Sequence, residues 1–167
     1  MNTSMERIRE RMADYLSAQG LKALAAWPDG PRGRVEEPVV VVSLRSCRGE
    51  EGGFGRYLGE RFDEKAGRWE EVYGRRADLT FGLDLYAPAR GDGDDLQQMW
   101  DRVAAALTAG EPEGLHLLSF SCGETEYDAA ARLRKRRGEA VCRAWLYTVF
   151  RGDALFTDFI LRGGWNT

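Results

Sequence analysis

The stretch Arg76-Ala77-Asp78-Leu79-Thr80-Phe81-Gly82-Leu83-Asp84-Leu85-Tyr86 decides the fold. Its odd positions, Ala77, Leu79, Phe81, Leu83 and Leu85, are apolar. The positions between them, Arg76, Asp78, Thr80, Gly82 and Asp84, are polar or small. Strict alternation over that length is the period of a strand with one buried and one wet face. A sheet built on such strands is antiparallel, and its cover lies on one side.

Upstream, Met5, Ile8, Met12, Tyr15 and Leu16 recur at helical spacing, with Arg and Glu opposite them and Gly20 as the stop. Leu21–Trp27 reads as a short extended piece and Pro28–Gly33 as a loop on turn chemistry. Val39–Leu44 is a β-branched run, read as a strand covered on both faces. A glycine-rich loop, Gly49–Gly55, follows it. Arg56–Asp63 and Arg68–Tyr73 then flank Glu64-Lys65-Ala66-Gly67, a hairpin pattern with Gly67 at the left-handed turn position.

Downstream, Leu96, Met99, Trp100, Val103, Ala104 and Leu107 form one stripe of a helix over Asp95–Ala109. Asp94 with Gln97 makes a capping-box pattern, and Gly110 stops the helix. Three strands close the chain, at Leu115–Cys122, Glu139–Phe150 and Leu155–Arg162. The expected fold is α+β, one domain over residues 1–167. It has a mostly antiparallel sheet of about six strands, two helices on one face and a projecting β-hairpin.

Composition excludes several classes. Five Trp, six Tyr and seven Phe rule out a disordered chain. Unbroken apolar runs such as Pro38–Val42 fall far short of a membrane span. A net charge of −3 gives no general attraction to nucleic acid or acidic lipid. The first residues carry no apolar signal core, so an intracellular location is expected. Cys47, Cys122 and Cys142 lack metal-binding spacing and read as free, buried thiols in a reducing compartment.

The motifs that carry chemistry are weak. His116 is the single histidine and reads as a partly buried core residue on the parity of Leu118, Phe120 and Cys122. The Gly49–Gly55 loop lacks the Lys and the following helix of a phosphate cradle. Glu124, Glu126 and Asp128 read as a solvated acidic edge, and Asp92, Asp94 and Asp95 as helix-capping residues. No catalytic, cofactor-binding or metal-binding residue is assigned, and an enzyme is not expected. Arg134, Lys135, Arg136 and Arg137, within the basic run Arg132–Arg137, form a candidate electrostatic contact for an acidic protein surface or nucleic acid. The alternative is a solvated hairpin loop.

Two-sided apolarity stands out more. In Glu139–Phe150, Cys142, Ala144, Leu146 and Phe150 oppose Val141, Trp145, Tyr147 and Val149. Leu155, Phe159 and Leu161 oppose Phe156 and Ile160 in the last strand. Two helices cannot cover both faces, so either the sheet curls or a partner subunit covers the second face. Tyr57, Phe62, Trp69 and Tyr73 of the hairpin, with Trp145 and Tyr147, are the candidate subunit interface.

Five stretches carry a family resemblance: Tyr57-Leu-Gly-Glu-Arg-Phe-Asp63, Gly67-Arg-Trp-Glu-Glu-Val-Tyr-Gly-Arg75, Leu83-Asp-Leu-Tyr-Ala-Pro88, Ser121-Cys-Gly-Glu-Thr-Glu-Tyr-Asp128 and Cys142-Arg-Ala-Trp-Leu-Tyr147. Across nearly its whole length the chain resembles phage tail terminator (tail completion) proteins of the prophage type from Gram-positive bacteria. The resemblance implies a small α+β structural protein that forms a ring, typically a hexamer, on the last ring of the tail tube. It implies that the ring stops tube polymerisation and offers a surface to the head–neck connector. The implied partners are copies of itself, the tail tube protein and the connector protein, with no membrane, specific nucleic acid or cofactor. The implied location is the host bacterial cytoplasm during assembly and then the virion tail. Two other readings stay open: another neck or baseplate component of the same particle, and a small intracellular ligand-binding domain or enzyme whose second apolar face is a pocket.

Overall fold

A computed structural model of the chain describes residues 4–27, 35–51, 56–91, 93–150 and 160–162. The elements are α1 (Ser4–Ala18), β1 (Ala23–Leu24), β2 (Val39–Glu50), β3 (Tyr57–Asp63), β4 (Arg68–Pro88), α2 (Asp95–Ala109), β5 (His116–Asp128), β6 (Leu133–Phe150) and β7 (Ile160–Arg162). Their strands make one seven-stranded sheet in the order β1-β2-β4-β6-β5, with β3 added beside β4 and β7 beside β6. Every pairing is antiparallel except the short β1–β2 contact. The architecture is the α+β fold expected. The loop predicted at Pro28–Gly33, residues 52–55, Asp92 and the stretch Leu155–Phe159 lie outside the described residues.

The spine of the sheet is the β4–β6 pair. Arg68–Tyr73 and Arg76–Tyr86, which read as separate strands in the sequence, are one strand of 21 residues. Gly74-Arg75 between them resembles a break, yet Gly74 pairs with Tyr147 and Arg75 with Leu146. The ladder keeps a single register from Glu71↔Phe150 to Pro88↔Leu133. At about 3.3 Å per residue, β4 runs about 69 Å. Its two ends serve different partners. β2 borders it from Arg76 to Tyr86, and β3 borders it from Arg68 to Tyr73. β5 and β7 share the outer side of β6 in the same way.

The helices cover the body half of this spine. Ile8, Met12 and Leu16 of α1 and Leu96, Met99, Val103 and Leu107 of α2 are buried. They join Val40 and Val42 of β2, the odd residues Ala77–Leu85 of β4 and Ala140, Cys142 and Ala144 of β6 in one core. Each large side chain so buried contributes on the order of 1.5–3 kcal/mol relative to exposure. The Tyr15 hydroxyl donates to the Ala106 carbonyl at 2.7 Å and ties α1 to α2. Gly138 lets α2 sit close, because a Cβ there would lie 2.8 Å from Trp100 and against the Leu83 carbonyl oxygen.

The opposite face of the body is a polar ladder rather than a second apolar face. Arg45 bridges Asp84 at 2.8 Å and Glu139 at 3.3 Å. Arg143 holds Asp78 at 2.8 Å, and Arg76 reaches Glu50 at 3.1 Å. The hydrogen bond from Arg143 lowers the Asp78 carboxyl pKa, against an opposing desolvation effect. Val141 is half-buried on this face, opposite Thr80. The predicted two-sided burial holds at the start of β2, where Val39, Val40, Val41 and Val42 are all buried.

Several local expectations are corrected. His116 is exposed and sits 3.2 Å from Glu111. A register shift between Leu117 and Ser119 inverts the alternation, so Leu117 and Phe120 both pack against the core while Leu118 is exposed. Asp94 makes no side-chain cap bond, and Gln97 instead donates to Asp101 at 2.8 Å. Cys47 is exposed, whereas Cys142 is buried and its thiol is pushed up to about 12 by burial. β5 continues through the acidic stretch to Asp128, so Glu124, Glu126 and Asp128 are exposed strand residues.

Candidate assembly surface

Beyond the helices the spine continues as an arm. β3 and β4 form the predicted hairpin, closed by Gly67 at a φ of +63°, with the Asp63 carboxylate accepting the Lys65 and Ala66 amides at 2.9 and 3.1 Å. A positive φ at this corner suits glycine because a Cβ would crowd the carbonyl there. The base of the hairpin is no free ribbon, because Tyr147–Phe150 at the end of β6 pair with Glu71–Gly74 along its other side.

The two faces of the arm differ sharply. Even positions of β4 are covered: Val72 is 0% and Glu70 3% exposed. Glu70 is the one charged residue classed as buried among those described. It accepts from Arg61 at 3.2 and 3.3 Å and has Arg68 at 3.9 Å, so its charge is compensated. Odd positions form the open face. Trp69 is 67% exposed, and Tyr57 and Phe62 are each 50% exposed. Phe62 meets Trp69 edge-on at 5.6 Å between ring centres, and Tyr57 meets Tyr73 in the same way at 5.6 Å. Between these pairs the register places Glu60 opposite Glu71. The Tyr73 hydroxyl donates to Glu71 at 2.6 Å, and that bond raises the Tyr73 pKa. Past Tyr73 the face ends in a hollow of about 370 Å³ whose lining includes Gly49, Arg56, Tyr73, Arg75, Leu146 and Thr148.

The predicted interface residues therefore divide. Tyr57, Phe62, Trp69 and Tyr73 share the open face of the arm. Trp145 is half-buried on β6, opposite Arg76. Tyr147 is 8% exposed, paired with Gly74 on the covered side, and is part of the chain's own packing. A side chain at Gly74 would collide with the β6 backbone, which shows how closely the two strands approach here.

The basic run is also relocated. It is the first turnless stretch of β6, not a loop; the hairpin turn lies upstream, at residues 129–132. Alternation splits the four candidates. Arg134 grips Asp95 at the start of α2 with two bonds of 2.7 and 2.6 Å and donates to the Pro88 carbonyl at 3.0 Å. Arg136 donates to Gln97 at 2.6 Å. Lys135 lies over the Tyr86 ring at 5.4 Å, and Tyr86 in turn meets Trp27 at 4.5 Å. Arg137 is exposed. A dense charge run thus conceals a strand whose inward arginines fasten a helix.

Glu60, Arg56 and Arg75, charged residues of the arm face, were not singled out by sequence. Their signal is present: Trp69-Glu-Glu-Val-Tyr-Gly-Arg75 alternates, with Trp69, Glu71, Tyr73 and Arg75 on one parity. Among the described residues, no group of three or more His, Cys, Asp or Glu could hold a metal ion, and no helix is long and apolar enough to cross a membrane. No family model matches the chain, and no curated protein matches it.

Proposed function

We propose that the chain is a ring-forming structural subunit that caps the tail tube of a phage or phage-like particle, stops its polymerisation and offers the head–neck attachment surface. The observation that carries this reading is the open aromatic face of the arm. Tyr57, Phe62 and Trp69 stand exposed on one face of the sheet extension. Exposed aromatics gathered on one face of this kind mark a protein contact, and buried Trp and Tyr are frequent anchors of such contacts. The sequence resemblance supplies the particular assembly. In this reading the partners are further copies of the chain, the tube protein and the connector, and the chain does no catalysis. A small-ligand role finds support in the hollow beside Tyr73, but that hollow opens onto the aromatic face, a shape that also suits a protruding partner side chain.

The test is Trp69→Ala. Trp69 is 67% exposed, so the folded subunit should keep a cooperative thermal transition close to wild type. Truncating an interface anchor often costs about 2 kcal/mol or more of binding. Particles carrying the variant, viewed by electron microscopy, should show tails of uncontrolled length or tails without heads. Normal, head-joined tails would sink the reading.

A further inference from the structure

The open face of the arm sets two carboxylates against each other. Glu60 lies directly opposite Glu71 in the register, and both are exposed. Opposed residues on paired strands have Cβ atoms about 4.5–5.5 Å apart, and like charges there are destabilising. Among the described residues no ion pair reaches either carboxylate. The Tyr73 hydroxyl donates to Glu71 at 2.6 Å but brings no positive charge. On the covered face of the same hairpin, by contrast, Glu70 is matched by Arg61 at 3.2 Å. The carboxylate pair also lies between aromatic rings. Phe62 and Trp69 stand one row toward the tip and Tyr57 one row toward the body. Rows on a strand are about 6.6 Å apart. The Tyr57 pKa is raised by desolvation and then by Glu60 and Glu71, so that ring stands in the field of both carboxylates.

We propose that this face seats an arginine of a partner protein, its guanidinium laid over the Glu60–Glu71 pair and flanked by the rings of Trp69 and Tyr57. Charge complementarity selects a cation, since one positive group relieves the repulsion between the two carboxylates. The flanking rings select the guanidinium among cations. It is planar, stacks on aromatic faces and donates through a fork that spans two carboxylates, whereas an ammonium is a compact, strongly hydrated point charge. Cation–π attraction reaches about 6 Å from a ring centre, the spacing of the rows on either side. A calcium ion is the poorer occupant, because it takes about six to eight oxygen ligands and the rings supply none. The seat is also accessible. The helices bury Ala77–Leu85 on this same face, but Glu60, Phe62, Trp69 and Glu71 lie beyond that cover and are exposed. A partner segment laid on the arm therefore reaches the carboxylates without displacing any core residue. The inference rests on the reading of the arm as a protein contact and names the chemistry that the partner brings to it.

The probe is the capped peptide Ac-Leu-Arg-Leu-amide, titrated into the full-length chain and followed by two-dimensional NMR. Peptides with lysine, citrulline or glutamate in place of arginine serve as comparisons. The arginine peptide should shift the amides of Glu60 and Glu71 and the indole of Trp69. The lysine peptide should bind about threefold or more weakly, and the citrulline and glutamate peptides should leave these signals in place. Glu60→Gln combined with Glu71→Gln should weaken arginine binding by about tenfold or more. The same variant should melt no lower than wild type, because it removes a like-charge pair. An arginine peptide that leaves the three signals unmoved, equal binding of the citrulline peptide, or a double variant that binds unchanged or melts lower would overturn the inference. Sedimentation equilibrium completes the test: self-association that the double variant abolishes would give the face to a second copy and overturn the choice of occupant. The two readings fail separately. A wild type that ignores the arginine peptide while Trp69→Ala still spoils the tails removes the arginine alone. Normal tails with Trp69→Ala remove the contact reading whatever the peptide does.

Discussion

Arg134 shows how far a residue's role depends on the element that carries it. Its side chain is 13% exposed and Asp95 is 18% exposed, so both charges are largely removed from water and satisfied by each other. Removing one partner leaves the other uncompensated. Arg134→Met should therefore destabilise the fold by about 2–4 kcal/mol, a little below the range for a fully buried pair. Thermal melting should register this as a loss of roughly 4–16 °C for a chain of this size. Arg137→Glu, on an exposed side chain of the same basic run, should stay within about 0.5 kcal/mol of wild type. Equal melting temperatures for the two variants would show that the Arg134–Asp95 pair fastens nothing. Charge reversal across the whole run is accordingly a poor probe of surface recognition, because it breaks the start of α2.

At the scale of elements, α2 comes close to the sheet at Gly138, where Trp100 lies over the β4–β6 pair. A Cβ at Gly138 would stand 2.8 Å from Trp100 and collide with the Leu83 carbonyl, which is backbone and cannot step aside. Gly138→Ala is expected to cost about 1–3 kcal/mol, the usual range for overpacking. Gly123 on β5 is the matched control, because its nearest neighbour would be the Arg137 carbonyl at 3.8 Å. Urea denaturation of both variants checks the contrast, and a Gly138→Ala midpoint equal to that of Gly123→Ala would contradict the packing. Much of this architecture was legible in the sequence. The alternation at Arg76–Tyr86, the apolar stripes of α1 and α2 and the Glu64–Gly67 turn each carry a local period or a backbone requirement. Three features were not legible. Gly74-Arg75 resembles a break because pairing on both sides is a tertiary fact. Arg134–Arg137 resembles a loop because charge masks alternation when the inward residues find partners on a helix. His116 resembles a core residue because a register shift two residues later is invisible in a pattern of types. Of the candidate interface, Tyr57, Phe62, Trp69 and Tyr73 could be read from sequence as unplaced aromatics. Tyr147 could not be separated from them until its pairing with Gly74 was known.

The whole molecule is a body and an arm sharing two strands. β4 and β6 have neighbours on both sides, whereas β3 and the acidic end of β5 have a strand neighbour on one side only among the described residues. The helices reach the odd residues Ala77–Leu85, and beyond them the same strand carries the open face of the arm. Local opening follows such differences in burial and contact. In native-state hydrogen exchange, amides of β4 from Ala77 to Leu85 and of β6 from Ala140 to Ala144 should exchange slowest, at the rate set by global unfolding. Those of Glu60 to Phe62 and of Thr125 to Tyr127 should exchange well before them. Uniform protection from Trp69 to Leu85 would instead mean that arm and body unfold as one unit.

The unbroken register of β4 with β6 also limits how the chain can change in length. A single residue inserted between Trp69 and Ala77 would exchange the two parities on one side of the insertion. Val72 and Glu70 would come to the open face and the aromatics would be driven inward, or else the core leucines of the body would turn out to water. Two residues added together in β4 and matched in β6 leave every side chain on its own face and only move the arm's tip outward by about 6.6 Å. Lineages of this chain should therefore vary the reach of the arm in steps of two residues, with both strands altered together, while single-residue gains and losses collect in the turns.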